Sequence, residues 1–406
     1  MSLKFYPGGE FIKSISDINV ANKKVFLRLD LNVPIKDNKI IDDNRILEAL
    51  PTIKYLIENN AKIICASHMG RPNGKKVKSL SLEPVAARLS ELLEQEVSFT
   101  DESTGNVVEN EANFRLKPGN ILLLENLRFN PGEAENSPTL AAKFKKFTDI
   151  YVNDAFGTSH REHCSNGSLT KLFSIKAAGL LMEKEINSLA NITYTPPRPL
   201  VAIIGGAKIS DKINVIENLM IKASKILIGG AMAHTFSASK GYSIGESLVE
   251  ENKIPLAKKL LERAKDNQCE IITPVDYIYN SGLNATSPPS TTLDSHIPKG
   301  QSAFDIGPKA QLLFAQEISS AKAIFWNGPM GVFENSLYQK GTKAIAESIA
   351  NSNAEIKICG GGDSVACINK LNLKERFTHV STGGGASLQL IEGKKLPAVE
   401  NLKIYK

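Results

Sequence analysis

The sequence predicts two α/β domains, each a doubly wound parallel sheet. Short apolar runs alternate along the chain with longer segments of helical spacing, the order typical of a parallel sheet covered by helices. The runs are apolar at consecutive positions, so both faces of each strand are expected to be buried. The length of 406 residues exceeds what one hydrophobic core normally serves, which favours two domains.

The predicted strands lie in both halves of the chain. In the first half they are KVFLRLD from Lys24, KIICAS from Lys62, ILLLEN from Ile121 and DIYVND from Asp149. In the second half they are LVAIIGG from Leu200, KILIGG from Lys225, EIITPV from Glu270, AIFWNG from Ala323, EIKICGG from Glu355 and HVSTGGG from His379. Apolar residues between them recur at helical intervals, as at Ile213, Ile216 and Met220, which predicts helices that pack on the sheets.

A proline-rich segment marks the predicted junction of the domains. Residues 195–199, TPPRP, suit neither a helix nor a central strand, and MEKEINSLANI before them is typical of a helix. The sequence therefore predicts an N-terminal domain of residues 1–184, a connecting helix and hinge of residues 185–199, and a C-terminal domain of residues 200–393. Residues 281–302 are rich in Ser, Thr, Pro and Asn, which predicts a loop.

Composition and charge narrow the possible functions. No stretch is long and apolar enough to cross a bilayer, and the first residues lack the pattern of a signal peptide, so a cytoplasmic protein that binds no membrane is expected. The five cysteines show no metal spacing and are expected to be reduced thiols. A net charge of +6 fits a nucleic acid, a small anion or a solubility margin. The dense basic stripe of nucleic-acid binders is missing, and Lys75–Lys78 is interpreted as a solvated loop.

Arginines follow three of the four predicted strands in the first half. They are Arg71 in SHMGRP, Arg128 in ENLR and Arg161 in HR. The carboxyl ends of parallel strands meet at one edge of a sheet, where ligands bind. One such arginine is usually a solvated loop residue, but several at one edge repel one another unless an anion is bound. The planar guanidinium donates to phosphate and carboxylate, so a small anionic ligand is predicted.

Other polar residues join this edge. Asp30 and Asn32 follow the first strand, and His68 follows the second. Arg45 lies at the start of a predicted helix, where a cation opposes the helix dipole; it either faces a ligand or is a simple surface arginine.

A histidine pair belongs to the same region. His160 and His163 flank Arg161, whose charge opposes a metal ion, so a hydrogen-bonding role is preferred over a metal site.

Glycine clusters follow three strands in the second half. They are Gly205-Gly206-Ala207-Lys208, Gly360–Ser364 and Gly383–Ser387. A single cluster is usually a tight turn, whereas three at strand ends of one domain predict that a nucleotide phosphate chain binds at helix N-termini. The chain contains neither a Walker A motif nor a GxGxxG motif after its first strand.

Charged residues accompany these glycines. Lys208 and Lys212 are four residues apart at the start of a predicted helix capped by Ser210 or Asp211; they repel each other unless an anion lies between them. Asp363 is a candidate for holding Mg²⁺ through one carboxylate, and the alternative for it is an N-cap.

The motifs, taken together, resemble those of the phosphoglycerate kinase family. RLDLNVP from Arg28, SHMGRP from Ser67, ENLRF from Glu125 and YVNDAFG from Tyr151 with its following HR are similar to the substrate-domain motifs. GGAKISDK from Gly205, WNGPMGVFE from Trp326, GGGDS from Gly360 and STGGGAS from Ser381 are similar to the nucleotide-domain motifs. They occur in the family's order across both halves.

The resemblance implies phosphoryl transfer from 1,3-bisphosphoglycerate to ADP, giving 3-phosphoglycerate and ATP, reversibly and with Mg²⁺, by a monomer. The implied substrate-binding residues are Asp30, Asn32, Arg45, His68, Arg71, Arg128 and Arg161. The implied nucleotide-binding residues are Gly206, Ala207, Lys208, Lys212, Gly230, Asn327, Pro329, Glu334 and Gly361 to Ser364, with Asp363 at the metal. The implied catalytic residues are Arg45, Lys208, Gly362, Gly384 and Gly385.

The residue inventory agrees with that chemistry. A carboxylate nucleophile is already ionised at neutral pH and needs no general base, so positioning and charge neutralisation dominate. Arg45 and Lys208 are the candidates for neutralising charge. Because substrate and nucleotide are assigned to different domains, closure about residues 185–199 is expected to exclude water. The apolar tail, residues 394–406, is expected to pack on the N-terminal domain, as it does in the family.

Several residues depart from the family pattern. Glu162 and Cys164 stand where small residues are usual, and Gln389 replaces a Glu. His234, Ser302, Ala303 and Phe304 also differ and flank the expected adenine pocket, so the nucleotide preference stays open. Two rival functions also stay open, a kinase for another carboxylate and a catalytically silent binding protein.

Overall fold

The computed structural model describes residues 11–404. They divide into two compact units, one running to Asn187 and including the segment from Lys395, the other Ser188–Lys394. Each unit contains one six-stranded sheet with parallel pairing between neighbours, which confirms the predicted α/β class. In the described part of the chain, no helix has the length and apolar character needed to span a membrane.

The first unit is built on a parallel sheet and a small hairpin. Its strands are β1 Lys24–Arg28, β2 Ile35–Lys36, β3 Lys39–Ile40, β4 Lys62–Ala66, β5 Val97–Thr100, β6 Ile121–Leu124, β7 Ile150–Asn153 and β8 Lys176–Ala178. Its helices are α1 Asn44–Glu58, α2 Glu83–Leu93, α3 Asn106–Asn110, α4 Pro131–Ala134, α5 Pro138–Lys145 and α6 Leu180–Thr193, which continues into the second unit. The strand order is β5-β6-β4-β1-β7-β8.

Both faces of this sheet are buried, as the continuous apolar runs predict. Val25 and Leu27 of β1 join one hydrophobic cluster. Phe26 points to the other face, where its ring centroid lies 5.4 Å from that of Phe144 and 5.9 Å from that of Tyr151. Burial of large aromatic side chains on the second face is the main stabilisation available there. The edge strands β5 and β8 and the β2–β3 hairpin were not predicted.

The second unit repeats the plan and adds an antiparallel sheet. Its strands are β9 Leu200–Ile204, β10 Lys225–Ile228, β11 Glu270–Ile272, β12 Tyr277–Asn280, β13 Ser290–Thr291, β14 Ser302–Ile306, β15 Ala323–Asn327, β16 Ile356–Gly360 and β17 His379–Val380. Its helices are α7 Ile213–Met220, α8 Met232–Ser239, α9 Ile254–Asp266, α10 Pro308–Ser319, α11 Lys340–Asn351, α12 Gly362–Lys370 and α13 Gly385–Ile391. The parallel order is β11-β10-β9-β15-β16-β17, and β13-β12-β14 form the antiparallel sheet.

The predicted loop at 281–302 requires one correction. It contains the strand β13 and ends on the first residue of β14. Both strands pair with β12 in the antiparallel sheet. A two-residue strand is too short to show an alternation of polar and apolar residues, so the sequence does not reveal it. β13 is recognised as a strand only by its pairing with β12.

The end of the chain lies against the first unit. Helix α14, Pro397–Glu400, follows the second unit, and Ala398 N donates to Ser159 O at 3.1 Å. Asn401 Nδ2 donates to Asn166 O at 3.0 Å, and Ile404 forms an antiparallel bridge with Phe11. Leu402 is fully buried, so this segment contributes apolar area to that unit's core. Tyr405, which the tail prediction includes, lies outside the described residues.

Asp154 couples the sheet of the first unit to α6. It follows β7, and its Oδ1 accepts a hydrogen bond from Met182 N at 3.0 Å in the first turn of α6. Burial raises the pKa of Asp154 to about 6 from its ordinary 3.8. A carboxylate favours a helix N-terminus, but here the loss of hydration prevails.

The raised pKa predicts a pH dependence of stability. From about pH 4 to about pH 6 the native state keeps a proton that the unfolded chain has released, so this group's contribution to the free energy of unfolding decreases as pH rises. The limiting slope is about 1.4 kcal/mol per pH unit. Urea unfolding across this range should show the slope in the wild type and its loss in Asp154→Asn. Asp101→Asn, whose side chain is 77% exposed, is the control; identical pH profiles for all three proteins would contradict the prediction.

Candidate active site

In the first unit, the sheet order brings the predicted anion-binding residues together. Strands β6, β4, β1 and β7 are consecutive neighbours, so the turns after them form one continuous edge. Those turns carry Arg128, His68, Asp30 and, further along, Arg161. Arg45 reaches the same edge from the first turn of α1, the position predicted from the sequence.

Hydrogen bonds connect these residues directly. Arg45 Nη1 donates to Asp30 Oδ2 at 2.8 Å, and Asp30 Oδ1 lies 4.0 Å from His68 Nδ1. Gly70 N donates to Asn32 Oδ1 at 2.9 Å. Arg128 Nη1 donates to the Gly70 carbonyl at 2.6 Å, so the second loop is fixed from both sides. The result is a set of donors oriented by contacts within the protein.

The electrostatics of this edge favour an anion. Burial and the charges of Arg28, Arg128, Arg45 and Arg161 hold the pKa of His68 well below its usual range. Burial and then the charge of Arg161 lower the pKa of Arg128 to about 10. Within residues 11–404 the buried Nη2 of Arg128 has no hydrogen-bond partner. Clustered cations disfavour one another's charged state. A bound phosphate or carboxylate would therefore stabilise the charged form of these side chains.

Burial and arginine charges also lower the pKa values of the histidine pair, His160 and His163. Burial and the charge of Arg161 lower the pKa of His160. Burial and the charge of Arg128 lower that of His163 to about 4. The buried Nδ1 of His163 has no hydrogen-bond partner in the described chain. Neutral imidazoles that can still donate are therefore present beside Arg161.

Sequence reasoning missed a buried network beneath this edge. Arg28 is fully buried, and its Nε donates to Ser165 Oγ at 2.8 Å. Ser165 Oγ in turn donates to Glu133 Oε1 at 2.6 Å, and Ser165 N donates to Glu133 Oε2 at 3.0 Å. The available signal was Arg28 itself, a charge inside an apolar strand, because arginine is almost never fully buried unless paired. Nothing in the sequence pointed to Glu133.

In the second unit, glycines let the loops predicted to bind phosphate approach one another. A Cβ on Gly205 would lie 2.0 Å from Pro329 O, and one on Gly230 would lie 2.5 Å from Gly206 O. Any larger residue would push these loops apart. Gly361 has φ +96° and is the N-cap of α12, a backbone conformation that glycine adopts without strain. The loops after β9, β10, β15 and β16 therefore meet at one edge.

Lys212 is fixed at that edge by Asn327. Its Nζ donates to Asn327 Oδ1, and Asn327 Nδ2 donates to Gly360 O at 2.8 Å. Burial lowers the pKa of Lys212, while Asp211, Glu392 and Asp363 oppose the shift. Lys208 is exposed, so the two lysines differ in environment: Lys212 is partly buried and hydrogen-bonded, whereas Lys208 lies at the surface.

The predicted cap of α7 is wrong, and the alternative of an N-cap for Asp363 is excluded. Helix α7 begins at Ile213 with Lys212 as its N-cap, and Ser210 Oγ donates to Glu250 Oε1 at 2.6 Å instead of capping it. Asp363 does not cap α12 either, because Gly361 does. Asp363 instead lies exposed in the first turn of α12, where a carboxylate is stabilised by the free backbone N–H groups.

A cavity of about 360 Å³ adjoins these loops within the second unit. It is lined by Gly230 and Ala231 from the loop after β10, and by Met330 and Val332 from the loop after β15. The remaining wall includes His234, Tyr277, Phe304 and Ile306. An apolar slot beside an edge that is predicted to bind phosphate suits a flat aromatic base. Glu334 is exposed two residues after Val332.

Comparisons with known proteins agree over nearly the whole chain. The family model described as phosphoglycerate kinase matches residues 15–394. The phosphoglycerate kinase of Thermosipho africanus is 51% identical over 392 residues, 96% of this chain and 97% of that protein. That of Clostridium novyi is 47% identical over 389 residues, 95% and 97% of the two chains.

The chain belongs to the phosphoglycerate kinase family.

Solved structures of the family agree. The phosphoglycerate kinase of Coxiella burnetii superposes with a TM-score of 0.89 at 40% identity, covering 96% of this chain and 98% of that one. That of Pyrococcus horikoshii gives 0.83 at 34% identity, with the same coverage. The resemblance drawn from the motifs is thereby confirmed.

Two departures from the phosphoglycerate kinase pattern, Glu162 and Cys164, follow Arg161 in the chain. Glu162 lies with its carboxylate 3.6 Å from Lys171 Nζ, both side chains being at least half exposed, and Arg161 Nε instead donates to His160 Nε2 at 3.2 Å. Cys164 is buried with its Sγ 3.3 Å from Ser137 O. Arg71 is exposed, and its role in binding stays a prediction.

Proposed function

We propose that the protein transfers a phosphoryl group between 1,3-bisphosphoglycerate and ADP, forming 3-phosphoglycerate and ATP, in both directions. The observation that carries the proposal is the first unit's cluster of arginines around His68, in which the buried Nη2 of Arg128 has no hydrogen-bond partner among the described residues. Burial and then the charges of these arginines lower the pKa of His68. Family membership supplies the reaction class. The protein is proposed to act as a cytoplasmic monomer.

The proposed residue roles follow the two edges. In the first unit Asp30, Asn32, His68, Arg71, Arg128 and Arg161 hold the phosphoglycerate, with Arg45 nearest the reacting carboxyl. In the second unit Lys212 and Asn327 hold phosphate oxygens with the Gly361–Ser364 turn, and Glu334 binds the ribose. Closure about residues 185–199 stays a prediction.

In the ATP-consuming direction, a carboxylate oxygen of 3-phosphoglycerate attacks the γ-phosphorus of ATP. The bond from that phosphorus to the β-γ bridging oxygen breaks, and ADP leaves with the electron pair. The nucleophile is ionised at neutral pH, so no proton has to be removed. The residues' contribution is to orient the two groups and to neutralise charge on the transferring oxygens. Arg45 and Lys208 are proposed for that neutralisation, together with the helix N-termini that begin at Gly362 and Gly385, after Gly384.

The residues present fit a Mg²⁺ ion held by one carboxylate. Asp363 is exposed in the first turn of α12, close enough to Lys212 for its charge to affect that residue's pKa. Mg²⁺ commonly binds through one or two carboxylates plus substrate phosphates, and among the described residues no group of three or more acidic, His or Cys side chains forms a fuller cage. When bound with the nucleotide, the ion neutralises phosphate charge.

The metal proposal predicts a specific defect. Asp363→Asn should raise the Mg²⁺ concentration for half-maximal activity by about tenfold or more, since loss of a metal ligand's supporting contact alone commonly costs that much affinity. Titration of activity with Mg²⁺ at fixed ATP measures it. Asp266→Asn, an exposed residue at the end of α9, is the control, and equal Mg²⁺ requirements in both variants would argue against this role.

The reaction itself is tested by a coupled assay of ATP-dependent phosphorylation of 3-phosphoglycerate. Sustained turnover supports the proposal. Nucleotide binding without turnover would favour the silent binding protein. Turnover of another carboxylate but not of 3-phosphoglycerate would favour a kinase of different specificity.

A further inference from the structure

The cavity of the second unit contains one buried polar group that the protein leaves available. His234 is only 3% exposed, yet it lines the cavity. Its Nδ1 lies 3.0 Å from the carbonyl oxygen of Leu248. A carbonyl oxygen can only accept, so Nδ1 carries the proton and Nε2 presents a lone pair. Within the described chain Nε2 makes no hydrogen bond, so it is free for a ligand.

Packing fixes the orientation of this ring. The Tyr277 ring meets it edge to face, with the centroids 5.4 Å apart and the planes at 61°. The Tyr277 hydroxyl is itself held by Ser237 Oγ at 2.8 Å. Burial lowers the pKa of His234 to about 4, so the ring is neutral at physiological pH. The acceptor is therefore preorganised and keeps its lone pair.

Other polar side chains that line the cavity already make hydrogen bonds or are exposed. Asp305 accepts from Gly341 N at 2.7 Å and from Ile306 N at 2.9 Å. Ser302 Oγ donates to the Glu246 carbonyl at 2.9 Å, and the Glu246 side chain is exposed. Among the described side chains of this wall, His234 Nε2 is thus a fixed acceptor that makes no hydrogen bond within the protein.

We propose that His234 determines the nucleobase specificity of this site by accepting a hydrogen bond from the 6-amino group of adenine. This inference rests on the proposed function, which places a nucleotide in the second unit. A 6-oxo purine presents a carbonyl lone pair at that position, so hypoxanthine would leave two acceptors facing each other in an apolar cavity. An unsatisfied buried polar group is costly, and a site built to hydrogen-bond one group rejects the analogue that lacks it.

The test compares ATP with ITP, which differs from ATP at this edge of the base. For the wild type, kcat/KM for ATP should exceed that for ITP by about tenfold or more. His234→Phe keeps an aromatic ring but removes the acceptor, and the ratio should fall towards one. His296→Phe is the matched control, because His296 is exposed and contacts Tyr242 and Ser243; its ratio should equal that of the wild type.

A second variant and a binding measurement distinguish a change in base specificity from a folding defect. In His234→Gln the amide can turn either its oxygen or its nitrogen to the base, so ITP should gain relative to ATP. Calorimetric dissociation constants for ADP and IDP should change in the same ratio. An unchanged ATP-to-ITP ratio in both His234 variants would overturn the inference while leaving the proposed reaction intact. Failure of the wild type to turn over any nucleotide would instead count against the proposed function.

Discussion

Replacing Arg45 by alanine is expected to lower kcat by roughly 10³-fold, because a positively charged group at the transferring phosphoryl is commonly worth that much. At the predicted anion-binding edge, Arg45 comes from a helix rather than from a strand end, and its Nη1 donates to Asp30 Oδ2 at 2.8 Å. Its side chain is 38% exposed, so it can reach a ligand. The coupled assay at saturating substrates measures kcat.

The controls separate charge from folding. Arg115→Ala removes an arginine that is 76% exposed and whose one ion pair among residues 11–404 is with Glu111, one turn away. This variant should keep nearly full activity. Arg45→Lys keeps the charge but loses the planar fork, so an intermediate kcat is expected. If Arg45→Ala retains kcat within a few-fold of the wild type, the neutralising role is wrong.

Replacing Glu133 by alanine is expected to destabilise the first unit by about 3–5 kcal/mol, the usual result of breaking a buried charged network from one side. Glu133 is fully buried and holds Ser165 through two hydrogen bonds. Ser165 in turn holds Arg28. Without the carboxylate, the buried guanidinium loses the negative charge that its network supplies.

Urea unfolding, followed by circular dichroism, measures this loss. Glu135→Ala is the matched control, since Glu135 is exposed two residues further along, and surface changes usually alter stability by less than about 0.5 kcal/mol. Similar free energies of unfolding for the two variants would show that the network contributes little. Arg28 Nη2 lies 3.4 Å from Nδ1 of His68, a predicted substrate-binding residue. Glu133→Ala should therefore also weaken substrate binding at temperatures where the unit stays folded.

The local sequence already specified the main sheets. The ten continuous apolar runs all correspond to strands of the two parallel sheets. They could be recognised because a strand that is buried on both faces has apolar residues at consecutive positions. The edge strands β5 and β8 were missed. In β5 the pattern is mixed, with Ser98 exposed and Val97 buried, and such short segments become strands only when a neighbour offers its hydrogen bonds.

For the candidate site, too, the sequence predicted one part and only the tertiary structure showed the other. Residue type and position after a strand were enough to predict the arginines and glycines, because parallel strands deliver their following turns to one edge. Which of these residues touch was decided by tertiary structure: Lys212 is fixed by Asn327, more than 100 positions away, and Arg28 is joined through Ser165 to Glu133.

The sequence by itself therefore determined the fold class and the family, and it predicted the chemical character of the two candidate ligand-binding edges, since each depends on local composition and order. Only the tertiary structure decided the helix cap at Lys212, the buried network beneath the arginines and the free acceptor of His234. The physical reason is that burial, hydrogen-bond pairing and tautomer depend on partners that are distant in the chain, and no local pattern records them.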